Sequence, residues 1–139
     1  MMRFARRLTA IIAALSLFLV FSPATHALTV ANQFNTPIYL TINPGETKPI
    51  IFVPQSGVTV SAIVAKIEQL SSSGRVVGEY SILHAGNQYK IGNISGSSSV
   101  QIVGVSYYSP PYNGLFILRS EGTTSPISVR VTFYNGSAS

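Results

Sequence analysis

VTVSAIVAKIEQLSSSGRVVGEYSILH, residues 58–84, is the longest stretch of the chain that reads as extended structure, and its reading decides the fold. In its first arm Val58, Val60, Ala62 and Val64 share a face against Thr59 and Ser61. Beyond them Ile63, Ala65 and Ile67 alternate with Lys66 and Glu68. A strand repeats every two residues, so this change of parity demands a bulge, or a bend where the chain leaves one sheet for another. The apolar run 62–65 is the predicted place.

The second arm sets Val76, Gly78, Tyr80 and Ile82 against Glu79 and Ser81, and Ser71-Ser72-Ser73-Gly74 turns the chain between the arms. Serines bond to nearby backbone and glycine supplies positive φ. Read as a β-hairpin, a four-residue loop pairs Lys66 with Glu79, Ile63 with Ile82 and Ala65 with Tyr80. A two-residue Ser73-Gly74 turn would instead oppose Glu68 and Glu79. Opposed charges and apolar pairs each favour a register by up to about 1 kcal/mol, which selects the first. The competing reading is a helix over 62–70, whose Ala, Lys, Glu, Gln and Leu are good helix formers. It lacks a start signal and stands in a chain dominated by strand patterns.

Upstream of the hairpin, Leu28 to Phe34 (LTVANQF) forms a modest first strand and Ile38 to Ile42 a cleanly alternating second one. Asn43-Pro44-Gly45-Glu46 has the proline and glycine of a type II turn. Ile50 to Val53, bracketed by Pro49 and Pro54, suits an edge strand, because proline cannot donate to a ladder. Downstream, Tyr89 to Ile94 is extended. Val100 to Val105 carries apolar residues on both faces, the pattern of a central strand. Leu115 to Leu118 is short and wholly apolar, and Ile127 to Tyr134 (ISVRVTFY) alternates to the end. Eight or nine short strands at spacings of about 8–12 residues predict an all-β fold, a single small antiparallel β-sandwich of the Ig-like or jelly-roll-like kind.

The front of the chain is an address. Arg3, Arg6 and Arg7 precede the apolar run from Leu8 to Phe21; Pro23 breaks it, and Thr25-His26-Ala27 offers small residues to a signal peptidase. This predicts a secretory signal peptide, residues 1–27, cleaved near Ala27, and a secreted, cell-surface or periplasmic product. The run is too short to cross a bilayer comfortably, so the mature chain is expected to have no membrane span. Residues 28–139 then form one all-β domain, long enough to bury a core without disulfides. The chain has no cysteine.

That mature part carries Lys48, Lys66, Arg75, Lys90, Arg119 and Arg130 against Glu46, Glu68, Glu79 and Glu121, with no aspartate. The cations are scattered, which argues against nucleic-acid binding. Ten charged residues is far below the typical quarter or so. Such a surface resists association weakly, because charge is the usual device that keeps sheet edges apart.

Catalytic chemistry finds little material. His84 is the sole histidine after the leader, and no serine sits in a Gly-x-Ser-x-Gly turn. One histidine without cysteine or aspartate cannot assemble a zinc or calcium site, so no metal and no cofactor is expected. The glutamates lie singly, and the Gly-rich 92–96 lacks the strand–glycine–helix context of a phosphate loop. The expectation is a non-enzyme.

Two non-catalytic readings follow. The first is a structural or adhesive surface subunit that assembles with itself, accepting a strand at an unpaired edge; the segments from Leu28 to Phe34 and from Ile127 to Tyr134 are the candidate strands. The second is a monomeric secreted module that binds a glycan or protein partner. It would use the stiff aromatic loop 107–114, with Tyr107, Tyr108, Tyr112 and Asn113 as contacts beside Pro110 and Pro111. Asn93-Ile94-Ser95 and Asn135-Gly136-Ser137 match the N-glycosylation pattern.

Overall fold

The computed structural model describes residues 28–106 and 112–136. The predicted leader lies outside the described residues, as do Tyr107, Tyr108 and the two prolines that follow them. Among the described residues nine strands make the fold: β1 (Thr29–Ala31), β2 (Ile38–Ile42), β3 (Thr47–Phe52), β4 (Ala62–Gln69), β5 (Arg75–His84), β6 (Asn87–Ile94), β7 (Val100–Ser106), β8 (Asn113–Glu121) and β9 (Ile127–Asn135). They form two sheets. Sheet A has the order β1-β3-β8-β5-β6 and sheet B the order β2-β9-β4-β7. All pairings are antiparallel except β1 with β3, which run parallel. The all-β sandwich read from the sequence is the observed architecture.

The core lies between the sheets and follows from the period of two. Ile50 and Phe52 on β3, Phe116 and Leu118 on β8 and Val76 on β5 face Ile63, Ala65 and Ile67 on β4. Ile127, Val129, Val131 and Phe133 on β9 complete that side, all of them buried. Aromatic rings run through the centre: Phe34 to Phe52 at 4.6 Å between centroids, Phe52 to Phe133 at 4.8 Å, and Phe133 to Phe116 at 5.2 Å. Burying each such side chain favours folding by roughly 1.5–3 kcal/mol, the means by which a cysteine-free domain holds together. A second cluster, Ile51, Leu83, Leu115 and Ile117, is buried on the other face of sheet A.

The hairpin reading of residues 58–84 is overturned. β4 and β5 are consecutive but belong to different sheets, so the chain crosses the sandwich between them. Lys66 lies between Ile102 and Thr132, and Glu79 between Asn93 and Ile117. The physical reason is the amide of Gln69. Its Nε2 donates to the carbonyls of Ser71 at 2.8 Å, Gly74 at 3.0 Å and Ser73 at 3.3 Å, gathering the turn into an arch. The parity change is the predicted bend between sheets, one residue upstream of the predicted run 62–65. Residues 58–61 are not strand; the chain bends at Ser61 on its way from β3 in sheet A to β4 in sheet B. Asn135 fixes that bend, accepting from Ser61 N–H at 2.9 Å and donating to the Thr59 carbonyl at 2.8 Å.

Three further placements differ from expectation. Residues 50–53 do not form an edge strand: β3 lies between β1 and β8, and β1 reaches only Ile50 to Phe52, beyond Pro49. The segment from Ile127 to Tyr134 is not a free edge either, since β9 pairs with β2 on one side and β4 on the other. Conversely β7, which reads as central, borders sheet B. Of the two segments proposed for strand exchange, only the first contains an edge strand, the three residues of β1.

Candidate functional site

β6 and β7 run along the same side of the sandwich, bordering sheets A and B, and residues 95–99 join them. Gln101 anchors this side. Its Oε1 accepts from Gly96 N–H at 2.8 Å and its Nε2 donates to the Val76 carbonyl at 2.9 Å. Val76 lies beyond the last β5–β6 pair, Gly78 with Ile94, so a side chain from sheet B supplies the partner that β6 does not. One amide thereby ties the connecting loop to both sheets.

The direction of the β7 backbone groups follows from its ladder. Gln69 N–H donates to the Ser99 carbonyl at 2.7 Å, which makes these two a hydrogen-bonded pair. Antiparallel pairs alternate between bonded and non-bonded. Gln101, Val103 and Val105 therefore bond to β4, whereas Val100, Ile102, Gly104 and Ser106 turn their N–H and C=O groups outward. The other side of β4 agrees: bonds from Leu70 N–H to the Ser128 carbonyl (2.8 Å) and from Gly136 N–H to the Ala62 carbonyl (3.1 Å) assign its even-numbered residues to β9. Among the described residues, no strand meets the outward groups of β7.

Side chains along this side are apolar. Val100 and Ile102 project from the outer face of sheet B, 44% and 57% exposed; Tyr89 and Ile91 on β6 are about half exposed. Beside Ile102, the space over Gly104 is taken by Val64: a Cβ on that glycine would lie 3.0 Å from Val64 Cγ2.

Charge lies one strand inward, where Glu68 neighbours Val100 and Lys66 neighbours Ile102. On the same outer face, one transverse row runs Tyr39, Arg130, Glu68, Val100 across all four strands. The Arg130 guanidinium, hydrogen-bonded to Glu68, holds that carboxyl below its ordinary range, and Glu68 and Tyr39 together hold Arg130 more firmly protonated than usual. The other glutamates are also ion-paired: Glu46 with Lys48 at 3.1 Å, Glu79 with Lys90 at 3.2 Å, and Glu121 with Arg75.

The sequence-predicted contacts are only partly brought together. Tyr112 is half-buried and lies edge-on against His84 at 4.9 Å, and Asn113 opens β8 opposite Leu83. These two belong to the end of sheet A; Tyr107 and Tyr108 fall outside the described residues. His84 Nδ1 is buried and, among the described residues, has no hydrogen-bond partner. Of the two glycosylation motifs, Asn93 is exposed on β6, while the Asn135 amide is engaged by the Ser61 bend. The edge itself was missed in the sequence. Its signal is VQIVGVS, seven residues without charge or proline.

No family model matches the sequence, and no curated protein matches it. Among solved structures the chain is similar to the pre-peptidase C-terminal domain of a collagenase from Bacillus anthracis. That likeness has TM-score 0.55 and 11% identity and covers 78% of this chain and 96% of that one. It is a likeness of fold, to another small β-domain. A periplasmic inhibitor of g-type lysozyme from Aeromonas hydrophila overlaps more loosely, with TM-score 0.43 and 13% identity over 77% of this chain and 99% of that one. No helix among the described residues is long and apolar enough to cross a membrane.

Proposed function

We propose that the chain is an exported, non-catalytic β-sandwich subunit, structural or adhesive, that acts outside the cytoplasm and assembles with itself through its sheet edges. The observation that carries this reading is the β6–β7 side, where two long adjacent edges present Tyr89, Ile91, Val100 and Ile102 to solvent. Exposed edges template pairing with another chain, and proteins that stay apart usually blunt them with charge, proline or brevity; of the two edges here, β7 has seven residues and neither charge nor proline. Low charge over the whole mature chain points the same way. The engagement of each glutamate by a cation supports the non-catalytic part, since a working carboxylate pair needs two groups held for the substrate.

The test is the mass distribution of the purified mature chain, residues 28–139, by light scattering across a wide concentration range. Association that grows with concentration is expected. A monomer at every concentration, with no ordered assemblies in micrographs, would overturn the reading.

A further inference from the structure

We infer that β7 pairs antiparallel with β7 of a second copy, about a two-fold axis at Val103, joining two four-stranded B sheets into one continuous sheet. The inference rests on the assembly reading above and names its seam.

Among the described residues four edges border the sheets, and three carry a protective device. β1 has three residues. β2 has five and is flanked by Pro37 and Pro44. β6 is bulged at Ile91, where the register skips from Tyr80–Gly92 to Ser81–Lys90, and it carries Lys90. Bulges and lysines are recognised defences of an edge. β7 has neither; it is seven residues of unbroken register with no charge and no proline. Its two-faced apolar pattern is that of a strand with neighbours on both sides, and within the described chain it has one.

A second β7 fits that vacancy in one particular register. Centred on Val103, the pairing sets Ile102 opposite Gly104 of the other copy and Val100 opposite Ser106. These four residues are the ones whose backbone groups point outward, so each finds a hydrogen-bonding partner by the alternation of an antiparallel ladder, with the Val100 N–H exchanging its 3.3 Å bond to Ser98 Oγ for the strand partner. The side chains agree with the backbone. Ile102, the most exposed aliphatic residue of the strand, is set over the other copy's Gly104 and against its Val64, and the symmetry covers both isoleucines at once. Because the strand carries no charge, like meets like without repulsion. Such a self-complementary patch is what a two-fold interface requires.

The absence of cysteine makes the register directly testable. In single-cysteine variants any protein–protein disulfide must join two copies. Val103→Cys places both thiols at the axis in a non-hydrogen-bonded pair, where Cα separations of about 4.5 Å suit a disulfide. Ile102→Cys faces a glycine instead. With oxidised glutathione as oxidant, Val103→Cys should form dimers at least about tenfold faster than Ile102→Cys or the exposed-turn control Thr124→Cys, the mark of a high effective concentration. A second variant, Ile102→Pro, removes an outward N–H while sparing the bonds to β4, so the fold is retained. It should weaken association at least about tenfold. If the wild-type chain associates, yet Val103→Cys is no faster than the controls and Ile102→Pro changes nothing, the β7 seam is refuted while the assembly reading stands on another edge. If the wild-type chain never associates, the assembly reading falls, and the seam with it.

Discussion

Arg130 on β9 grips Glu68 on the neighbouring β4 through both carboxylate oxygens, Nε to Oε1 at 3.1 Å and Nη2 to Oε2 at 2.7 Å. The pair joins the two inner strands of sheet B, and its fork geometry makes it more specific than a single contact between point charges. Because the Arg130 hydrogen bond lowers the Glu68 pKa in the folded state, the pair contributes stability at pH values above the unfolded-chain value of about 4.3. That contribution is lost as pH falls through the lowered folded value. Glu68→Gln should therefore melt below wild type at neutral pH, with the gap closing in acid. Thermal melts at neutral pH and at successively lower pH check this, and a gap that persists in strong acid would show that Glu68 acts through packing.

The Gln101 side chain makes a second prediction. Gln101→Ala removes a donor from the Val76 carbonyl and an acceptor from Gly96 N–H in one step. Leaving partly buried backbone groups without partners costs about 1–3 kcal/mol. Urea titrations should show a lowered midpoint. Hydrogen exchange should show faster exchange at Gly96, whose N–H loses its acceptor. Unchanged exchange there would mean that Gln101 does not hold the loop.

These placements show what the sequence could and could not convey. Ile38, Leu40 and Ile42 on β2, and the alternation along β9, were legible because side-chain period depends only on the strand itself. Which strand lies beside which was not. Ser71 to Gly74 has the same turn chemistry whether it closes a hairpin or carries the chain across the sandwich, and the deciding contact is the side chain of Gln69 reaching into the loop. VQIVGVS likewise reads as a strand with apolar faces, but a face pattern does not count neighbours. Glu68 looked like a residue to be kept from Glu79, when its partner stands 62 positions away on β9. Long-range pairing is invisible to local pattern, and the candidate edge was hidden for that reason.

The turn between β5 and β6 holds a correctable strain. Ala85 and Gly86 link His84 to its partner Asn87, with φ of 52° and 80°. Two successive positive φ values make the tight turn that matches strand twist, and Asn-Gly is its preferred sequence. An alanine there suffers a left-handed backbone penalty of roughly 1–2 kcal/mol, much of which asparagine avoids. Ala85→Asn should raise stability by about 1 kcal/mol, seen as a melting temperature several degrees higher. A neutral or lower melting temperature would show that the turn relaxes around alanine.

Two glycines should respond to the same substitution in different ways. Gly45 ends the type II turn with φ of 77°, closed by Glu46 N–H donating to the Asn43 carbonyl at 3.0 Å, and a Cβ there would meet nothing within 4 Å. Gly45→Ala should cost only the backbone penalty, about 1–2 kcal/mol. Gly78 sits in the middle of β5, where a Cβ would stand 1.8 Å from the Ile117 carbonyl oxygen. Ile117 belongs to β8, hydrogen-bonded into sheet A between β3 and β5, so its carbonyl cannot withdraw without breaking the ladder. Gly78→Ala should therefore abolish the fold or cost more than about 4 kcal/mol, the range reserved for severe steric or packing failures. Circular dichroism and urea denaturation of both variants separate the mechanisms. If Gly78→Ala folds with a loss no larger than that of Gly45→Ala, then β5 and β8 are not packed backbone against backbone at this point, and the register of sheet A would have to be revised.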